Sequence, residues 1–188
     1  MSALVKPHAG FSYLQFIFPG MIGMTILFAS IFSSISIVWD REFGFMKEML
    51  VAPISRLSIV VGKAVSGTLI SVAQAIIILV LIPFLGIRIT FLQFTEVVAV
   101  SVLVSFCITS IGILIAARLT SFDGFNIIMN FLVMPMFFLS GAMYPVSSMP
   151  PALRQLTHLN PLTYAIHAFK PVLLRDSTPP LGPEFPVA

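Results

Sequence analysis

Few side chains in this sequence could do chemistry, and their spacing does not bring them together. His8, His158 and His167 are separated by loops or by steps that do not share a helical face, and no carboxylate cluster joins them, so they make no metal-ligand set. Asp40, Glu42 and Glu48 imitate an acidic pair, but a charged helix face is much the commoner explanation of such a group. Cys107 is the single cysteine; it cannot form an intramolecular disulfide and reads as a small packing residue inside an apolar run. The only Gly-Lys pair, Gly62-Lys63, has Leu57 where a phosphate-binding loop needs its first Gly and Ala64 where it needs Ser or Thr. The sequence thus offers no catalytic residue and no cofactor-binding or metal site of its own.

What must position any function here is a membrane body. Hydrophobic residues make up 58% of the chain, charged residues 9%, and mean hydropathy is +1.06. A soluble domain carries roughly 25% charge, and a chain with this little polar surface covers itself only against lipid. Ten Lys and Arg are scattered singly and form no basic stripe, which argues against nucleic acid despite the net charge of +3. The long uncharged run from Ala9 to Trp39 exceeds the apolar region of a cleavable signal and reads as a retained span.

A helix needs about 20 apolar residues to cross a hydrocarbon layer about 30 Å thick. Four stretches reach that length, at 18–39, 64–87, 97–117 and 125–144, and none of them contains Asp, Glu, Lys, Arg or His. The prediction is an all-α, polytopic membrane protein with four transmembrane helices, one domain over 1–174 and an irregular Pro-rich tail at 175–188. Small residues four apart (Ala29 with Ser33, Ser30 with Ser34, Ser101 with Ser105) would allow close helix approach, while Gln74, Asn126 and Asn130 are expected to bond between helices. Because ion-coupled transporters place ionisable groups within the membrane, their absence points to a chain moved from outside.

The place for such a push is the loop 40–63, which holds seven of the chain's seventeen charged residues. On one continuous helical projection Phe43, Phe45, Met46, Met49 and Leu50 share a face, with Arg41, Gly44, Lys47 and Glu48 opposite and Glu42 intruding; Pro53 then ends the helix. The same pattern suits an interfacial helix lying on lipid headgroups. Arg41, Lys47, Arg56 and Lys63 argue that this loop is cytoplasmic, although alternation of the spans leaves the whole-chain Lys and Arg count at five against five. Beyond Tyr144, prolines interrupt the helix, and Leu156, Leu159, Leu162, Ile166, Phe169 and Leu173 recur at helical steps over a segment too short and polar to cross alone. A re-entrant or interfacial helical hairpin over 145–174, on the extracytoplasmic side, is expected.

Two strings of residues carry a resemblance. Arg41-Glu42-x-Gly44, Leu50-x-x-Pro53-x-Ser55-Arg56 and Gly62-Lys63, followed by Ser140-Gly141-x-x-Tyr144-Pro145, Pro150 and Leu159-Asn160-Pro161-Leu162-x-Tyr164, make the chain similar to the membrane-spanning permeases of type 2 ATP-binding-cassette exporters. The resemblance covers nearly the whole chain, to about Leu174. It implies a permease that forms homo- or heterodimers in the cytoplasmic (inner) membrane, pairs with cytoplasmic ATPase subunits holding ATP and magnesium, and exports an amphiphilic drug, lipid or glycan by alternating access. Arg41, Glu42, Phe43, Phe45, Met46, Lys47, Met49 and Arg56 would couple to the ATPase, and Tyr144, Pro145, Pro150, Asn160, Pro161 and Tyr164 would belong to an extracytoplasmic gate. The family's first and last spans have no counterpart in this sequence. That leaves a short form as one expectation and a non-transporting membrane scaffold as the alternative.

Overall fold

Each helix runs until a capping residue or a break in hydrogen bonding ends it, which places the helix termini away from the edges of the apolar runs. The computed structural model describes residues 13–51, 53, 55–85, 89–119, 121–142 and 150–173, and places seven α-helices there. They are α1 (Tyr13–Glu42), α2 (Phe45–Val51), α3 (Arg56–Leu81), α4 (Phe91–Ala116), α5 (Phe122–Leu139), α6 (Pro151–Thr157) and α7 (Pro161–Leu173), with a 3₁₀ turn at Ile82–Leu85. Four of them, α1, α3, α4 and α5, are long and apolar enough to cross a membrane.

The expected spans are right in number and shifted in extent. α1 has 30 residues, about 45 Å at 1.5 Å each, so its final turn carries Asp40, Arg41 and Glu42 past the apolar run that was expected to stop at Trp39. α3 starts at Arg56, eight residues before the expected start, because Ser55 caps it: its Oγ accepts from the Ser58 N–H at 3.1 Å. It ends at Leu81, where Pro83 falls in the following 3₁₀ turn and cannot donate a backbone bond. α4 begins at Phe91, with the Gln93 side chain accepting from the Thr90 N–H at 2.8 Å. α5 is capped by Ser121 and stops at Leu139, and Gly141, at φ +76°, turns the chain away.

α1 is the centre of the bundle. α3 and α4 pack on it and on one another, α5 lies on a further side, and α7 crosses α1 and α4 at the end remote from α2. Ile22, Ile26, Leu27 and Val38 of α1 are wholly buried. Where α1, α3 and α4 meet, the seam is built of hydroxyls and glycines. Ser30 Oγ lies 2.9 Å from Ser71 Oγ, and Ser34 Oγ donates to the Thr109 carbonyl at 3.3 Å. A Cβ on Gly67 would come within 2.6 Å of Thr109 Cγ2, so only glycine permits this approach.

Two of the small-residue pairs read in the sequence, Ser30 with Ser34 and Ser101 with Ser105, do line that seam; all four are buried. The amides do not behave as expected. Gln74 and Asn130 are exposed on the bundle's outside, and Asn126 donates to the Phe122 carbonyl of its own helix at 3.2 Å. Hydroxyls bond across helices in their place, since a short Ser can reach a neighbour's carbonyl only where backbones are close, and that is the geometry the glycines impose.

Candidate functional site

Between α1 and α2 the chain makes one sharp turn, and glycine is required there. Gly44 has φ +84°, a conformation that costs other L-residues roughly 1–2 kcal/mol. At the end of α1 the Phe43 N–H donates to the Trp39 carbonyl at 2.9 Å and the Gly44 N–H to the Arg41 carbonyl at 3.4 Å, and α2 opens with Lys47 N–H donating to the Gly44 carbonyl at 3.0 Å. The single helix expected from Arg41 to Pro53 is therefore two helices, and the projection that set Phe43 and Arg41 on the same cylinder as Phe45 does not hold. Glu42 is the last residue of α1, Phe43 lies in the turn, and Arg56 is the exposed first residue of α3.

Only Phe45, Met46, Lys47 and Met49 of the expected coupling residues lie on α2 itself. Met46 and Met49 are half-buried, Met46 against the core, and seat the helix on the bundle. Phe45, Lys47, Glu48 and Val51 face outward, and Phe43 beside them is 71% exposed. The result is a short, seated element that presents an apolar and charged outer surface.

Arg41 points inward. Its Nη1 donates to the Leu119 carbonyl at 2.8 Å and its Nη2 to the Ala117 carbonyl at 3.0 Å, at the end of α4. The Ala117 carbonyl, at the C-cap of α4, is one of the groups a helix C-terminus leaves unpaired, the Leu119 carbonyl lies just beyond it, and a cation there also meets the negative end of the helix dipole. The preceding residue turns the other way: Asp40 pairs with Lys63 of α3 at 2.5 Å, and Lys63 donates to Ser36 Oγ at 3.2 Å. Trp39 stacks on Phe122 of α5, ring centroids 6.1 Å apart and planes 9° from parallel. Three consecutive residues at the end of α1 thus hold α5, α3 and α4.

Trp39, with Lys63 and Phe122, also borders a cavity of about 500 Å³ on the flank of α1 between α3 and α5, which do not close on one another there. Phe32, Ile35, Ile70 and Phe122 supply its apolar walls, and Ser36, Lys63, Ser66 and Asn126 its polar groups. An apolar body with a small polar head fits such a lining better than an ion or a sugar does. Sequence reasoning passed over this site; the signal available to it was Phe32, Ile35, Ser36 and Trp39 at three- and four-residue steps, which mark one face of α1.

At the opposite end the expected gate is partly in view. Tyr144 and Pro145 lie outside the described residues. Pro150 is exposed just ahead of α6, and Pro161 is the first residue of α7. Asn160, buried, does two jobs: its Oδ1 accepts from the Leu162 N–H at 3.0 Å and starts α7, while its Nδ2 donates to the Met136 carbonyl of α5 at 2.6 Å. Tyr164 is exposed and ties the turn, its hydroxyl donating to the His158 carbonyl at 2.8 Å. Lys170 further along α7 donates to the Gly141 carbonyl at 3.1 Å. The turn between α6 and α7 therefore reaches about one helical turn below the end of α5, and α7 leads back out.

Comparison with known proteins bears on this arrangement. Residues 3–174 match the family described as ABC-2 type transporter. The chain is 35% identical over 168 residues to ycf38 of Cyanophora paradoxa, named as a transport permease, with 85% of this chain and 56% of that protein covered. It is 32% identical over 173 residues to YbhR of Escherichia coli strain K12, named as a multidrug ABC transporter permease, covering 88% of this chain and 45% of the relative. It is 30% identical over 184 residues to the inner membrane transport permease YadH of Escherichia coli strain K12, covering 95% and 70%. The chain spans about half the length of the first two. No solved structure matches it.

Proposed function

Because the chain belongs to the ABC-2 type transporter family, we propose that it is the membrane subunit of an ATP-driven exporter, in which a separate cytoplasmic ATPase pushes on α2. The observation that carries this reading is the outward surface of Phe43, Phe45, Lys47, Glu48 and Val51 on an element hinged at Gly44 and seated by Met46. Apolar side chains held out of the bundle beside charges suit a protein cleft. Arg41, Lys47, Arg56, Lys63 and Arg118 all belong to this end, and by the positive-inside rule that supports a cytoplasmic position for it.

The substrate on this reading is an amphiphile held in the cavity between α1, α3 and α5, its apolar part against Phe32 and Ile70 and its polar part near Lys63, Ser66 and Asn126. Closure of the two ATPases of a dimeric complex would move α2 and the helices tied to it as rigid bodies, alternating access. Asn160 and the α6–α7 turn would close the outer side. The test is to purify the chain with its ATPase and replace Phe43 and Phe45 by Glu. Loss of co-purification and of ATPase stimulation is expected, whereas unchanged association and stimulation would defeat the assignment. Vesicles in which both proteins together move no amphiphile on addition of ATP would favour the scaffold instead.

A further inference from the structure

The reading above brings force to α2 but leaves open how it reaches α5, which forms one wall of the cavity and lies three helices further along the chain. We propose that Arg41 is the positioning residue that carries this motion, by fastening the root of α2 to the connection between α4 and α5. The inference rests on the coupling role assigned to α2 and adds to it a named route.

Three observations carry it. The Arg41 guanidinium bridges the Ala117 and Leu119 carbonyls, one on each nitrogen, so it grips the chain on both sides of Arg118. Neither carbonyl takes part in the backbone bonds that close α4, which run from the N–H groups of Ala117, Arg118 and Leu119 back to Ile113, Ile115 and Ala116. The grip therefore adds to those backbone bonds a tie from α1 to that segment. α5 begins two residues after Leu119, at the Ser121 cap, so displacing Leu119 displaces the start of α5.

The second observation is the position of Arg41 itself. Glu42 and Phe43 are all that separate it from the Gly44 turn, so a tilt of α2 acts on the last turn of α1 at this residue. The third is the division of labour with its neighbour. Asp40 holds α3 through Lys63, and Arg41 holds the α4–α5 connection. One tilt at the end of α1 thus pulls on both cavity walls from opposite sides, and the cavity between them changes width. A lysine would hold the two carbonyls less firmly, because its single nitrogen cannot reproduce the two parallel donors of the planar guanidinium.

The experiment uses the full chain with its ATPase in lipid nanodiscs, with Cys107→Ser as background and spin labels on cysteines replacing Val65 of α3 and Ile127 of α5, both exposed. The distance between them is measured without nucleotide and after trapping with ATP and vanadate. With Arg41 present the distance distribution is expected to shift on trapping. In Arg41→Gln the shift is lost while the ATPase still co-purifies, and in Arg41→Lys it is reduced; the latter keeps charge and length if the former does not fold. An undiminished shift in both variants overturns the proposal. Loss of ATPase binding in either overturns it too, since Arg41 would then belong to the docking surface. If the protein with Arg41 shows no shift although the ATPase is bound, the coupling reading beneath the proposal fails with it.

Discussion

Gly44 and His167 sit at opposite ends of the bundle and make opposite kinds of prediction. No atom lies within 4 Å of a Cβ built on Gly44, so a substitution there meets no clash and acts on backbone conformation alone. Gly44→Val should cost about 1–2 kcal/mol, lowering the temperature at which α2 stays seated. ATPase stimulation should fall by more than the melting temperature of the spans would suggest. At the other end, His167 has its pKa lowered from the ordinary histidine value, first by burial and then by the charge of Lys170, itself held low by burial. A base whose folded pKa is lowered is protonated first in the undocked state, so docking of α7 weakens as pH falls from about 6.5. Amide exchange in α7 should be faster at pH 5.5 than at pH 7.5 after correction for intrinsic rates, and His167→Gln should remove most of that dependence.

Elements are where the sequence was most and least legible. Four spans, a loop element between the first two and a short helical pair near the end were all readable from apolar run length and helical periodicity, because those signals accumulate over many residues. Helix ends were not, because they turn on single contacts such as Ser58 N–H with Ser55 Oγ. The break at Gly44 was hidden for a similar reason: its neighbours keep an amphipathic period across it, and only φ reveals the turn. The α1–α3–α4 seam gives the sharpest test at this scale. Gly112→Val would drive a Cβ into Ser34 Oγ, and Gly67→Val one into Thr109, each at a cost of about 1–3 kcal/mol. Gly62, with open space around it, is the control; Gly62→Ala should be neutral or stabilise by up to about 1 kcal/mol, read as the unfolding temperature in detergent. Asn160→Ala should free the α6–α7 turn from α5, at about 1–2 kcal/mol, and raise amide exchange there while leaving α1 protected.

At the scale of the molecule, the proposed function has a bundle whose expected spans lack ionisable groups moved from one end. At the α2 end of the bundle Asp40, Arg41 and Lys63 tie helices together, and the sequence could show that these residues were concentrated but not which helices they join. The candidate cavity was out of reach for the same reason: Phe32, Lys63 and Phe122 are far apart in the chain and meet only because α3 and α5 flank α1. Everything then depends on which side of the membrane α2 faces. Replacing Lys47 by Cys in a Cys107→Ser chain puts one reactive thiol on the exposed face of α2, and an impermeant maleimide applied to intact cells reads its side. The account predicts labelling only after the cells are permeabilised; labelling of intact cells would put α2 outside, beyond the reach of any cytoplasmic ATPase, and contradict it.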